Sequence, residues 1–245
     1  IVGVSGIGTL AIMMGGWSSN NKFALLGAFR AVAQLVSYEV PMIILLLIPV
    51  MLAGSMSLQT IVRAQESMWF VVLAPLAALL FFIALIAEIG RAPFDLLEAE
   101  SEIATGYNIE YTGMKFGIWM LQEFSHAFAV GPLVTTLYLG GWHGPFAKEI
   151  PILVIIYFML KNFFIYFLII WVRATLPRIR IDHLMQLNWK FFVPVSLAVL
   201  VVTALVDKGV SELLPGAGVA TRALILFISN VLLVLAIVWQ IRASA

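Results

Sequence analysis

The sequence predicts an all-α protein that crosses a membrane about seven times. Three observations predict it. Hydrophobic residues make up 62% of the 245 and charged residues 11%, where a soluble domain carries about 25% charged. Mean hydropathy is +1.06. Apolar runs near the ~20 residues that a helix needs to cross hydrocarbon recur along the chain, separated by polar segments. With no repeat and no low-complexity tract, residues 1–245 read as a single transmembrane domain in the lipid bilayer. Cysteine is absent, so the chain offers neither a disulfide nor cysteine ligands for an iron–sulfur cluster. His126, His143 and His183 are scattered without metal-ligand spacing. No motif for a bound cofactor or metal is present, and a net charge of +1 argues against nucleic acid.

The elements follow in order. Ile1–Met14 is apolar but short, lacks the charged start and cleavage site of a signal peptide, and reads as the end of a span that begins upstream. Gly16–Phe23 is a polar loop. Ala24–Ala53 is the second span and contains Arg30, Gln34, Ser37, Tyr38 and Glu39. Arg30, Gln34 and Ser37 share a helix face, and Glu39 lies nearly opposite Arg30. Pro41 has no N–H, so the Ser37 carbonyl loses its usual helical donor, which predicts a kink or a water site near Glu39. Gly54–Ser67 is a loop, and Met68–Ala87 is the third span, with Pro75 inside it. Met114–Leu139 is the fourth, carrying Gln122, Glu123 and His126. Gly140–Ile150 is a Gly/Pro/Trp loop, and Pro151–Val172 the fifth span, with Lys161 near its middle. Arg173–Lys190 is a basic loop, Phe191–Val206 the sixth span, Asp207–Arg222 a loop, and Ala223–Ile241 the seventh span. Trp17, Trp142, Trp171 and Trp189 sit at span ends, as interfacial anchors do.

One stretch breaks the apolar pattern. Ala87–Gly113 holds Glu88, Asp95, Glu98, Glu100, Glu102 and Glu110 against the single base Arg91. Pro93 suits the first turn of a helix, and Asp95 and Glu98 have capping-box spacing. A helix from there to Gly106 would put Asp95, Glu98 and Glu102 on one face. Spacing leaves two readings open: a solvated acidic surface loop, or a functional cluster whose lone arginine restrains its acids.

Ionisable groups within spans are the second anomaly. A charge at the bilayer centre costs about 2.5–3.5 kcal/mol on insertion scales. Snorkelling accounts for Arg30, near a span end. For Glu39, Glu123 and Lys161 the choices are a static interhelical pair or a proton relay. Basic residues set the orientation. One side holds Lys22, Arg91, Lys115, Arg173, Arg178, Arg180, Lys190 and Arg242, and the other only Arg63, Lys148, Lys208 and Arg222. The first side is expected to be cytoplasmic. It carries both the acidic and the basic loop, which could meet around a polar chamber.

The run GRAPFDLLEAESEIATGYNIEYTGMKFG, with its RAPFDL, E-x-E-x-E, GYNIEY and GMKF elements, closely resembles the signature loop of the H-subunit family (subunit 1 in mitochondria) of respiratory complex I, the proton-pumping NADH–quinone oxidoreductase. GWSSNNKFALLGAFRAVAQLVSYEV at Gly16–Val40, GGWHGP at Gly140–Pro145 and WVRATLPRIRIDHLMQLNWK at Trp171–Lys190 agree with it. The resemblance covers about Gly15 to Leu205 and implies upstream spans. It implies a membrane subunit, multi-pass in the bacterial plasma membrane, that forms half of a quinone chamber and couples quinone reduction to proton translocation. Quinone would be a substrate. The implied partners are peripheral iron–sulfur and quinone-site subunits and neighbouring membrane subunits. The resemblance implies chamber and coupling roles for Arg91, Asp95, Glu98, Glu100, Glu102 and Glu110, and a proton path through Glu39, Glu88 and Glu123, which Lys161, ionisable within its span, is expected to join. Arg30, Arg173 and Arg178 would be charged supports. Two alternatives stand beside this reading: the related membrane subunit of an energy-converting nickel–iron hydrogenase, and a secondary transporter, whose usual internal repeats are missing here.

Overall fold

The computed structural model describes residues 2–95, 106–145, 149–213 and 218–244, and their regular elements are helices. In chain order these are α1 (Val2–Ser18), α2 (Lys22–Ala53), α3 (Leu58–Ala64), α4 (Phe70–Leu73), α5 (Pro75–Ile89), α6 (Gly113–Leu137), α7 (Pro151–Thr175), α8 (Ile181–Leu187), a π-helical segment (Asn188–Phe192), α9 (Val193–Leu213) and α10 (Val219–Ser244). Among the described residues four stretches are long and apolar enough to cross a membrane: Lys22–Ala53, Pro151–Thr175, Ile181–Glu212 and Ala220–Trp239. Pro75–Ile89 is apolar but shorter. The chain is an all-α membrane protein.

Three boundaries differ from the sequence expectation. The third span is broken at Ala74 (φ −135°, ψ 67°), because the ring of Pro75 drives the preceding residue out of the helical region and itself suits a first helical position. The basic segment is helical from Ile181 onward, with Leu184, Asn188 and Phe192 buried four residues apart. That inward stripe outweighs the charges on the outward side. α9 likewise continues past Asp207 to Leu213 and buries Val210 on the way. A short helix, α3, also forms within the expected Gly54–Ser67 loop and buries Ile61 and Val62. The expected Asp95–Gly106 helix lies almost wholly outside the described residues.

The chain packs as two compact units, and α2, α5, α6 and α7 contribute residues to both. Unit 1 comprises Ile1–Ile43, Ile83–Val130 and Tyr166–Val193. Its apolar centre joins Ile12 of α1, Ala28, Ala31 and Leu35 of α2, and Tyr107, with Val32 and Trp119 against them. α1 and α2 approach closely because Gly16 faces Ala28 with no side chain to spare. A methyl group on Gly27 would sit 2.7 Å from the Gly106 carbonyl carbon, so the 106–112 segment crosses α2 backbone to backbone. The acidic and basic segments do meet: Ile179 N–H donates to the Pro93 carbonyl at 3.0 Å.

Pro41 leaves its mark on the packing of unit 1. The Ser37 carbonyl, released by Pro41, accepts a 2.7 Å hydrogen bond from Asn188 Nδ2 on the π-helical segment. Tyr38 packs between Phe94 and Phe192, with ring centroids 5.5 and 5.9 Å away, and its hydroxyl donates to the Leu184 carbonyl. The carbonyl freed in α2 is thus met by a protein donor.

Unit 2 comprises Ile44–Phe82, Gly131–Ile165 and Pro194–Ala245. The same device recurs in it. Pro49 withholds a donor from the Leu45 carbonyl, and the buried Tyr138 hydroxyl supplies one at 2.9 Å. Phe81 packs on the Tyr138 ring at 5.4 Å. Gln65, fully buried after α3, donates to the Thr136 carbonyl and accepts from the Gly140 and Phe70 amides. Asn230 of α10 reaches the Leu73 carbonyl at the α4–α5 break, at a long 3.4 Å. Arg222 and Asp207 pair, joining the ends of α10 and α9.

Asn188→Leu should strand the Ser37 carbonyl and cost about 1–2 kcal/mol. Pro41→Ala restores a helical N–H, so Asn188→Leu should cost markedly less in that background. A double-mutant cycle on unfolding in detergent checks this, and strictly additive effects would contradict it.

Candidate functional site

The site is built at the end of α5. Gly90, at φ +70°, turns the chain sharply after Ile89, a conformation that glycine adopts without a Cβ penalty. The turn is fixed from α2: Gln34 Nε2 donates to the Ala87 carbonyl at 2.9 Å and to the Phe94 carbonyl at 2.7 Å. Gln34 is fully buried, so a single amide satisfies a helix-end carbonyl and pins the segment beyond it. Arg91 is carried on this turn and directed at α6. Its Nη2 lies 2.9 Å from Glu123 Oε2, with both side chains largely buried, and its guanidinium sits 5.3 Å from the Phe124 ring centre.

Beside this pair is a cavity of about 360 Å³. Its charged and polar lining comes from Glu88 on α5 and from Gln122, Glu123 and His126 on α6. Its apolar lining comes from α1, Leu35, Ile89 and Tyr107. Glu88 is 7% exposed, and its Oε2 has no hydrogen-bond partner among the described residues. Glu39, half-buried on α2, places Oε1 3.6 Å from where a methyl group on Gly6 would stand. Unit 1 therefore lines one small space with two carboxylates and a histidine, and Arg91 pairs with one of those carboxylates.

The other expected site residues are distributed differently. Asp95 is half-buried at the edge of the described segment, and Glu98, Glu100 and Glu102 lie outside the described residues. Glu110 is exposed and accepts a 2.7 Å hydrogen bond from Asn21 Nδ2, beside a Tyr111–Ser18 contact of 2.9 Å. Arg30 is half-buried on α2, Arg173 is exposed in the last turn of α7, where a cation suits the helix end, and Arg178 is half-buried before α8. Lys161 belongs to unit 2, where Nζ donates to the carbonyls of Leu139, Gly141 and His143. Glu123 on α6 is a partner of Arg91 that the local charge pattern does not indicate. Glu123 was visible only as an intramembrane acid, and no spacing rule links the two. Tyr107 and the α1 lining carried no signal beyond hydrophobicity. Among the described residues no cluster of side chains has a metal-binding arrangement.

These features define a helical membrane protein with an ionisable cavity among its spans. Residues 1–204 match the NADH dehydrogenase family, and the chain belongs to that family. It is 51% identical over 204 residues to the H subunit of NADH-quinone oxidoreductase of Dehalococcoides mccartyi, covering 83% of this chain and 56% of that protein. It is 49% identical over 208 residues to the protein of the same name in Geobacillus thermodenitrificans, covering 84% and 62%, and 46% identical over 208 residues to that of Bacillus thuringiensis. The chain thus spans a little over half the length of these relatives, and α10 lies beyond the residues matched to the family.

Arg91→Met should leave Glu123 without its counter-charge and destabilise the protein by about 3–5 kcal/mol, the usual cost of halving a buried pair. Adding Glu123→Gln should recover much of that loss. Thermal unfolding of both variants measures it, and equal losses in the single and double variants would refute the pairing.

Proposed function

We propose that this chain is the membrane subunit of a proton-pumping NADH–quinone oxidoreductase, building the membrane half of a quinone chamber and coupling quinone reduction to proton movement. The observation that carries the reading is the cavity lined by Glu88, Glu123 and His126 beside the Arg91 pair. Glu88 and Ile89 of its lining stand at the root of the acidic segment. Family membership and relatives named as the H subunit of NADH-quinone oxidoreductase support it. Quinone is a substrate on this reading, and electrons reach it from a cluster-bearing partner subunit.

Arg91 and Asp95 serve the chamber, together with Glu98, Glu100, Glu102 and Glu110. Arg91 holds negative charge next to it, so a change of charge in the chamber is felt by Glu123 through a direct contact. Glu39, Glu88 and Glu123 form the start of the proton path. Lys161, in unit 2, is proposed for proton movement on its position within a span alone, and its ammonium donates to three carbonyls. The partners are the peripheral cluster-bearing and quinone-site subunits and the neighbouring membrane subunits. The location is the bacterial plasma membrane, with the acidic segment facing the cytoplasm, as the eight-to-four bias of basic residues supports.

In the assembled complex, Asp95→Asn should lower quinone reduction by about tenfold, equivalent to ~1.4 kcal/mol of barrier, while NADH oxidation by an artificial acceptor stays intact. Glu88→Gln removes a charge without breaking a hydrogen bond at Oε2, so assembly should be normal while quinone reduction and proton pumping fall together. Normal turnover and pumping in both variants would overturn the reading.

A further inference from the structure

The loop after α6 has a geometry that the proton-path reading does not use. Lys161 Nζ stands 2.7 Å from the Leu139 carbonyl oxygen, 3.0 Å from that of Gly141 and 2.8 Å from that of His143. Its fourth neighbour is the Trp69 ring, 4.5 Å away at the centroid. Three oxygens and a π face thus surround one ammonium, whose three N–H donors match the three acceptors.

The loop backbone is held in this form independently of the lysine. Gly140 and Gly141 both have positive φ, +72° and +53°. A methyl group on Gly140 would come 2.7 Å from the Trp69 ring, and one on Gly141 2.8 Å from Val62. Both glycines are therefore demanded by conformation and by space. The loop amides are bonded outward: Gly140 N–H to Gln65 Oε1, Gly141 N–H to the Thr135 carbonyl, and His143 N–H to the Gly140 carbonyl. With the amides committed, the Leu139, Gly141 and His143 carbonyls turn inward. They lie just past the carboxyl end of α6, where the helix dipole adds negative potential.

The geometry points to a preformed carbonyl cradle for a primary ammonium ion, built by the Leu139–His143 loop and Trp69 and occupied by Lys161 as a tethered cation. Lys161 then stabilises unit 2 as a bound cation would. Arginine does not replace it, because a planar guanidinium cannot aim three N–H groups at three oxygens converging on a point.

The test is chemical rescue. Lys161→Ala is expressed within the full protein and its complex, with and without ethylammonium in the medium and buffers. Readouts are the amount of assembled complex and its melting temperature, neither of which depends on the proposed activity. Without amine, Lys161→Ala should lose most of the assembled complex or melt at lower temperature. Ethylammonium should restore both toward the wild type. Tetramethylammonium, with the same charge and no N–H, should not, and Lys161→Arg should stay impaired in either amine. Wild-type assembly and melting in Lys161→Ala, or failure of ethylammonium to restore either, overturns the proposal.

Discussion

A backbone carbonyl released within a bilayer has no water to turn to, and each one left bare costs free energy on the scale of a lost hydrogen bond. Much of this structure follows from that constraint. α2 contains two internal prolines, and each removes a donor from the carbonyl four residues back. Asn188 answers at Ser37 and Tyr138 at Leu45. Gln34 answers at the end of α5, Asn230 at the break before it, and Lys161 beyond the end of α6. The polar side chains that look misplaced in an apolar sequence are mostly donors for specific carbonyls. They hold helices to one another where the hydrophobic effect, weak between surfaces already in lipid, gives little help.

With those residues assigned, the ones left over become informative. Glu39, Glu88 and Glu123 carry no donor that a carbonyl could use when ionised, so they cannot serve the backbone in this way. All three stand in unit 1, Glu88 and Glu123 in the wall of one cavity, and Arg91 balances the charge of Glu123. The arginine reaches that place because Gly90 turns the chain and Gln34 pins it. The backbone-serving group thereby positions the charge-handling one.

The fold class, α2, the fifth span and the liberated Ser37 carbonyl could all be read from the sequence, since apolar length and the missing proline N–H are local properties. The donor could not, because nothing local ties Asn188 to Ser37 across the chain. The same gap hid the contact between Arg91 and Glu123, which the fold brings to it from another helix. The start of α8 was misjudged because a run of basic residues masked the Leu184–Asn188–Phe192 stripe. Pro75 was seen, but its consequence, two helices in place of one, needs the geometry of Ala74.

The central claim is that the buried polar side chains divide into two sets, those that satisfy carbonyls and those that handle charge. The most direct measurement is a paired series in the assembled complex, Asn188→Leu and Tyr138→Phe against Glu39→Gln and Glu88→Gln. Each variant is scored for melting temperature and for turnover per assembled complex. The account predicts that the first pair loses stability and keeps turnover, while the second pair keeps stability and loses turnover. Equal losses of both quantities across all four variants would contradict it.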